Sequence, residues 1–467
     1  MIRCTTFAGK RVAVFGLGAS GTATARALLE GGAEVAAWDD SAASRDASAA
    51  AGIPIVDLET ADWSRFATLV LSPGVPLTHP EPHWVVVKAR REGAEIIGDV
   101  ELYARERAAH CPGAPFIAIT GTNGKSTTTA LISHVLRQAG KDVAMGGNIG
   151  KPILTLEPPA LDRIHVIEMS SFQIDLTPTL HPTVAILLNI TPDHIDRHGT
   201  IETYAAVKER LVAGAETAII GVDDVYCRMI HRKAAEREQD VMALSLGKKI
   251  EHGVVVWDRA IVWASGEQVK PVADLTGIAS LRGAHNAQNA AAAVAALAIM
   301  GLKPAEIQQG FATFPGLAHR MEEIGRLGNV LFINDSKATN ADSTEKALAS
   351  FERDIFWIIG GKPKEGGIAS LEKYFPRIVK AYLIGQASEE FAATLGSNVA
   401  FERCETLDVA VKRATADALG ARTPEPVVLL SPACASYDQY KNFEERGEHF
   451  RRLVAALPGI KLRVVDK

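Results

Sequence analysis

Phe116-Ile117-Ala118-Ile119-Thr120-Gly121-Thr122-Asn123-Gly124-Lys125-Ser126-Thr127-Thr128-Thr129 is the stretch that decides how the chain is read. Its apolar start reads as a buried strand. The pattern beyond it, through Ala130, Leu131, His134, Val135 and Leu136, reads as a helix. Between them lies a Gly-rich turn that ends in Lys-Ser-Thr. Backbone N–H groups freed by Gly121 and Gly124 can cradle phosphate oxygens, Lys125 adds a point charge, and Ser126 can reach a Mg2+. The new helix turns its partial positive end toward the anion. The strict form of such a loop has an earlier Gly where this chain has Ile119. An ordinary Gly-rich strand-to-helix turn is the alternative, but Gly-Lys-Ser-Thr directly after a strand favours a nucleoside triphosphate.

Upstream, Lys10-Arg-Val-Ala-Val-Phe15 reads as a strand, followed by Gly16-Leu17-Gly18-Ala19-Ser20-Gly21 and an Ala-rich helix. A second strand, Glu34 to Trp38, ends in Asp39-Asp40, about 20 residues on, where a dinucleotide fold keeps its ribose-binding acid. Any nucleotide diphosphate can use that turn, so the fingerprint alone does not name the ligand. Thr68 to Leu71 runs into another strand-end loop, Ser72-Pro73-Gly74-Val75, and Gly98 to Leu102 closes this region. His110-Cys111-Pro112-Gly113-Ala114-Pro115 reads as a linker.

Downstream of the phosphate loop come the Gly-rich loop Gly146-Gly147-Asn148-Ile149-Gly150 and the strand Ile164 to Ile167, which ends in Glu168. An acid there is expected to coordinate Mg2+. The strand Val184 to Leu188 leads to Asn189-Ile190-Thr191-Pro192-Asp193-His194-Ile195-Asp196-Arg197-His198, a loop able to serve metal or phosphate. In the next helix Ile201, Tyr204, Val207 and Leu211 mark an apolar face, and Lys208 lies on it. Such a lysine either snorkels to solvent or has been recruited for chemistry through a depressed pKa. His285, Asn286 and Asn289 open the apolar helix Ala290–Met300, as caps or as ligands. Phe314 to Arg320 reads as a second hinge. The remainder alternates strand and helix again, with polar strand ends at Asn334–Asn340, Gly360–Glu365 and Ser431–Asp438. The fold class is therefore α/β in three domains: a Rossmann-like one over 1–108, a central phosphate-loop ATPase over 109–317, and a second Rossmann-like one over 318–467. Polar loops at carboxyl strand ends in all three predict one site lying between domains.

Length and composition agree with several ordinary globular cores: 467 residues, 47% apolar and 22% charged. A net charge of −5 argues against general nucleic-acid binding. Cys4, Cys111, Cys227, Cys404 and Cys434 are scattered, with no Cys-x-x-Cys, which fits a reducing compartment and offers no zinc site. With neither a signal-peptide core at the start nor an apolar run long enough for a bilayer, a cytoplasmic protein without membrane insertion is expected.

Thr120 to Thr127 resembles the ATP loop of the Mur ligase superfamily, and that resemblance accounts for the missing first Gly. Asn189-x-x-x-Asp193-His194, Lys208, Gly283-x-His285-Asn286-x-x-Asn289 and His319-Arg320 resemble it in order and spacing. Within the superfamily the whole chain is most similar to the UDP-N-acetylmuramoyl-L-alanine:D-glutamate ligases. Asn334-Asp335-Ser336-Lys337-Ala338-Thr339-Asn340 and Ser431 to Gly447 carry that likeness. No Asp-Asn-Pro-Arg run is present, which disfavours the diaminopimelate-adding relatives.

The resemblance implies ATP-dependent amide ligation of D-glutamate through an acyl phosphate, with ATP and Mg2+ required and a monomeric protein. It implies that Gly121, Thr122, Asn123, Gly124, Lys125, Ser126, Thr127, Asn286, Asn289, Arg320 and Asp335 surround ATP. Ser126, Glu168, His194 and Lys208, the last as a carbamate, would hold Mg2+; Lys125, His194 and Lys208 would be catalytic. Ser20, Asp39, Ser72, Gly74 and Asn148 would hold the UDP-substrate, and Thr339, Lys364, Ser436 and Phe443 the D-glutamate. Some members have an acid at the position of Lys362, so the amino-acid contact is carried to Lys364. Two other classes stay on the table. A nicotinamide-dependent oxidoreductase would rest on Gly16 to Gly21 plus Asp39 and leaves the phosphate loop unexplained. A non-catalytic nucleotide switch leaves Glu168, His194 and Lys208 without a task.

Overall fold

The computed structural model describes residues 1–364 and 366–463. Three sheets organise them. The first is wholly parallel, in the order β2-β1-β3-β4, from β1 (Arg11–Phe15), β2 (Glu34–Trp38), β3 (Thr68–Leu71) and β4 (Glu95–Ile97). Its inner strands β1 and β3, buried on both faces, are near-continuous apolar runs, as a parallel sheet requires.

The middle sheet contains β5 (Phe116–Thr120), β6 (Asp142–Gly147), β7 (Arg163–Glu168), β8 (Val184–Leu187), β9 (Thr217–Gly221), β10 (Asp240–Leu246), β11 (His252–Trp257), β12 (Ala260–Ser265) and β13 (Gln268–Asp274). Their order is β13-β12-β11-β10-β9-β8-β5-β7-β6. Strands β12 and β13 run antiparallel, an extension carrying none of the motifs above. β5 lies between β7 and β8, so the phosphate loop, Glu168 and Asn189 all emerge from neighbouring carboxyl ends.

The third sheet is built from β14 (Glu322–Leu327), β15 (Val330–Asn334), β16 (Ile355–Gly360), β17 (Ile378–Ile384), β18 (Ala400–Glu405), β19 (Val427–Leu430) and β20 (Lys461–Leu462). Its order is β18-β17-β16-β19-β15-β14-β20, parallel except at β14 and β20. The loops after β15, β16 and β19 leave adjacent strands.

By compactness the chain divides into two units, 1–276 with 287–313, and 277–286 with 314–467. One apolar cluster explains why the first two sheets fall together. It runs from Ile2, Val12, Leu28 and Tyr103 to Phe116, Leu154 and Ile167. The apolar helix begins earlier than its pattern suggests, at Ala284 rather than Ala290, because nothing between them breaks a helix. Asn289 therefore sits in its second turn. The segment after His194 is a short helix, Ile195–His198, rather than loop throughout. All five cysteines are free thiols. No helix among the described residues is long and apolar enough to cross a membrane.

Candidate active site

The phosphate loop is held in shape by its own protein. Gly124 has φ +88°, and a Cβ there would stand 2.1 Å from Asn289 Oδ1. Glycine is thus demanded by conformation and by the close approach of the Ala284–Ile299 helix. From the β8 side, Asn189 O accepts from Thr122 N at 2.8 Å and Asn189 Oδ1 from Asn123 N at 2.9 Å. Asn189 Nδ2 donates to Asn123 O and to Gln288 Oε1. Thr122 Oγ1 donates to Thr191 O and accepts from Thr191 N, leaving the Tyr204 hydroxyl to donate to it at 3.2 Å. Lys125 Nζ donates to Gly121 O and Thr122 O, at 2.9 and 2.8 Å, so its charge lies over the loop. Ser126 is buried in the first turn of the Lys125–Gln138 helix.

Lys208 does not snorkel. It is 1% exposed, and Nζ donates to Thr120 Oγ1 at 3.1 Å and to Gly121 O at 2.9 Å. The Thr120 hydroxyl spends its own hydrogen on Met169 O, which frees a lone pair for the amine. Burial, and after it the charge of Lys125, pushes the Lys208 pKa well below the ordinary lysine value, against smaller opposing effects of Asp193 and Glu168. A lysine here favours its neutral amine, the form that can act as a nucleophile.

Glu168 is equally buried. Oε1 accepts from Asn148 Nδ2 at 2.7 Å, while Oε2 has no hydrogen-bond partner among the described residues. A carboxyl oxygen with unused lone pairs in a buried position suits a divalent cation, so these residues fit Mg2+. No group of three or more His, Cys, Asp or Glu clusters as a ready-made metal site among the described residues. Any such site must use other donors, such as Ser126 or a modified Lys208. His194 adopts a left-handed φ of 54°, with Nε2 3.5 Å from Asp193 Oδ2. Its ring lies 5.0 Å from that of Phe172, which also stacks on His198 and carries the Arg197 guanidinium at 4.6 Å.

In the first sheet, a Cβ on Gly21 would stand 1.7 Å from Gly16 O, so the helix can start this close to β1 only with glycine there. Asp39 is already engaged: Oδ2 accepts from Leu17 N at 2.6 Å and Oδ1 from Ser41 N at 2.8 Å. Ser72 Oγ donates to Gly16 O, and Ser20 Oγ to the buried Asp99. Gly74 O accepts from Arg197 Nη1 at 3.1 Å, joining this loop to the one bearing His194.

In the second unit, Asp335 is buried at the end of β15. Burial raises its pKa to about 7, although Ser431 Oγ at 2.8 Å, Met321 N at 3.2 Å and the Arg320 charge favour the carboxylate. Asn286 Nδ2 donates to Arg282 O, a local bond rather than an N-cap. Ser436 is buried, Thr339 and Phe443 are half-buried, and Lys364 is exposed. Phe443 opens the Phe443–Ala455 helix, with Lys337 Nζ 4.0 Å from its ring centroid. Lys362 N donates to Ala435 O.

The Mur ligase middle domain matches residues 119–297, and the Mur ligase glutamate ligase domain matches residues 319–434. The UDP-N-acetylmuramoylalanine--D-glutamate ligase of Nitrobacter winogradskyi is 60% identical over 463 residues, 98% of this chain and 99% of the relative. The chain belongs to the UDP-N-acetylmuramoylalanine--D-glutamate ligase family. The Brucella abortus member is 58% identical over 460 residues, covering 98% of both chains. Among solved structures, the UDP-N-acetylmuramate-alanine ligase MurC of Thermotoga maritima aligns with a TM-score of 0.57 at 18% identity, over 95% of this chain and 98% of that one. A pseudomurein peptide ligase type C from Methanothermus fervidus gives 0.54, also at 18%, over 96% and 99%. At that identity the likeness speaks for the fold, α/β in three domains.

Seen as a Mur ligase, the first unit brings Gly121–Thr127, Asn289, Asn148, Glu168 and Lys208 around the carboxyl ends of β5, β7 and β8. Ser20 and Asp39, by contrast, spend their side chains on their own domain. Sequence reasoning overlooked the Tyr204 hydroxyl, the Phe172 platform and above all Arg446. Arg446 is fully buried, with Nε donating to Ser336 Oγ at 3.0 Å and Nη2 to Ser336 O at 2.9 Å and Cys434 O at 3.1 Å. The usable signal was its spacing, one helical turn beyond Phe443.

Proposed function

We infer that this chain is an ATP-dependent ligase that joins D-glutamate to UDP-N-acetylmuramoyl-L-alanine in peptidoglycan precursor synthesis. Full-length identity of 60% to a family member carries this reading, and the buried Lys208 against the phosphate loop supports it. The carboxylate of the UDP-substrate attacks the γ-phosphorus of ATP, the bond to the β–γ bridging oxygen breaks, and ADP leaves with that oxygen. The D-glutamate nitrogen then attacks the acyl carbon and sheds a proton, and the C–O bond to phosphate breaks. Phosphoryl transfer asks a protein chiefly for positioning and charge neutralisation. Lys125 and the amides of Gly121 to Thr127 would hold the β- and γ-phosphoryl groups. Asn286, Asn289, Arg320 and Asp335 would contact the rest of ATP.

When bound, Mg2+ would supply charge neutralisation for phosphoryl transfer. Ser126, Glu168, His194 and a carbamate on Lys208 are the residues that would hold it. A neutral Lys208 amine would add to CO2 and lose a proton, which would convert a buried neutral group into an anion. Ser20, Asp39, Ser72, Gly74 and Asn148 would hold the UDP-substrate, and Thr339, Lys364, Ser436 and Phe443 the amino acid. The domains would run 1–108, 109–317 and 318–467, in a cytoplasmic monomer. The deciding experiment measures ADP release with UDP-N-acetylmuramoyl-L-alanine and a panel of D- and L-amino acids. Release only with D-glutamate is expected; release with another amino acid, or without any, overturns the assignment.

A further inference from the structure

The Val225–Glu236 helix has two apolar faces. Cys227, Ile230 and Ala234 point into the core. Val225 and Met229, one turn apart, remain 53% and 48% exposed. Isolated exposed apolar residues are ordinary, but these two line one wall of a cavity of about 800 Å³. Its other wall comes from Val241 and Ala243 of β10 and from Ile250, in the turn entering β11. That volume and that lining are those of a small-molecule site.

The rim is basic, on a protein that is acidic as a whole. Arg228, Arg232 and Lys249 border the cavity, against the single carboxylate of Glu251. Among the described residues, Arg228 Nη1 bonds backbone carbonyls, those of Val222 and Asp223, and no carboxylate. Arg232 has an exposed partner in Glu236 at 3.4 Å, a pairing that water largely screens. Lys249 is exposed, and the ion pair in this turn, with Asp223 at 3.8 Å, is made by its neighbour Lys248. In sheet order β10 stands three strands from β5, roughly 14 Å at ordinary strand spacing, so this cavity is separate from the phosphate loop.

We propose that this cavity is a binding site for an amphipathic organic anion, its apolar chain between Met229 and Ile250 and its carboxylate or phosphate head at Arg228, Arg232 and Lys249. Apolar walls supply affinity, and the basic rim selects the charge. Isothermal titration calorimetry on the full-length protein tests this with decanoate, decyl phosphate and the uncharged 1-decanol, a readout that does not depend on ligase turnover. Both anions are expected to bind at least about 10-fold more tightly than the alcohol. Met229→Asp, which brings an acid into the apolar wall, should weaken both anions by about 10-fold or more. Lys249→Glu, on an exposed turn where folding is not at stake, should weaken the anions and leave 1-decanol unchanged. Anions that bind no better than the alcohol, no binding at all, or anion binding unchanged in both variants would each overturn the proposal.

Discussion

Replacing Arg446 by Met keeps a long apolar stem and removes the guanidinium. Ser336 O and Cys434 O, both in fully buried residues, then lose their donor, at about 1–3 kcal/mol each. Part of this is offset, because burial of the guanidinium is itself unfavourable, as its pKa, lowered to about 10, records. A net loss of about 2–4 kcal/mol follows, a large fraction of the 5–15 kcal/mol typical of a domain. The damage is local. Arg446 ties the Ser336 loop, which leads to Thr339, to the Cys434 loop, which leads to Ser436. With ADP release followed at varied D-glutamate, KM for D-glutamate should rise at least about 10-fold, while KM for the UDP-substrate stays near wild type. Hydrogen exchange should quicken in 335–339 and 433–437. Arg446→Lys, with one compact donor group, should fall between the two. A variant with unchanged D-glutamate KM and unchanged exchange would refute the claim that Arg446 positions these loops.

Lys125→Ala removes the charge over the phosphate loop and should lower turnover by ~10²-fold or more in the same assay. Asp39→Ala should raise KM for the UDP-substrate with ATP KM unaffected; binding of a nicotinamide dinucleotide instead would return the first domain to the oxidoreductase reading. Lys208→Ala should abolish turnover with the fold intact by circular dichroism, and acetate should partly restore it, since a small carboxylate replaces the lost oxygens; full activity without rescue would end the carbamate proposal. His165 is buried with its pKa lowered to about 4, its Nε2–H spent on Glu157 O and its Nδ1 without a hydrogen-bond partner among the described residues. The folded state therefore binds fewer protons than the unfolded chain between pH 4 and 6.5, so stability is full above 6.5 and falls by up to roughly 3 kcal/mol as pH drops to 4. Urea unfolding across that window should show a shallower pH slope in His165→Gln.

What the sequence makes legible follows period and punctuation. The phosphate loop and the strands β1, β2 and β3 are short apolar runs closed by Gly, Ser or Asp, and the structure has them within a residue or two, whereas β4, β14, β18 and β20 were not read from the sequence. The inward face of Lys208 follows from its spacing between Tyr204 and Leu211. Harder to see were contacts made across the chain. Nothing near Asp39 in sequence shows that Leu17 N occupies its carboxylate, and nothing near Arg446 shows two carbonyls waiting more than a hundred and about ten residues away. The antiparallel pair β12 and β13 lacks any motif that marks chemistry. The length of the Ala284–Ile299 helix was hidden because its polar first turn looked like a boundary.

The shared core of the first two sheets bears on how the gene can be cut. Ile2 N donates to Leu154 O and Gly98 N to Leu176 O, and the Tyr103 ring meets both Phe116 and His165. A fragment beginning after residue 108 would bare Phe116, leave the Leu154 and Leu176 carbonyls without their donors and lose the ring that covers His165. Modular on paper, these two domains are not interchangeable parts. A graft of a foreign N-terminal domain must bring a matching underside, and a truncated central domain is a poor candidate for soluble expression. The junction that tolerates excision has to be sought elsewhere in the chain, where no single apolar cluster spans the cut.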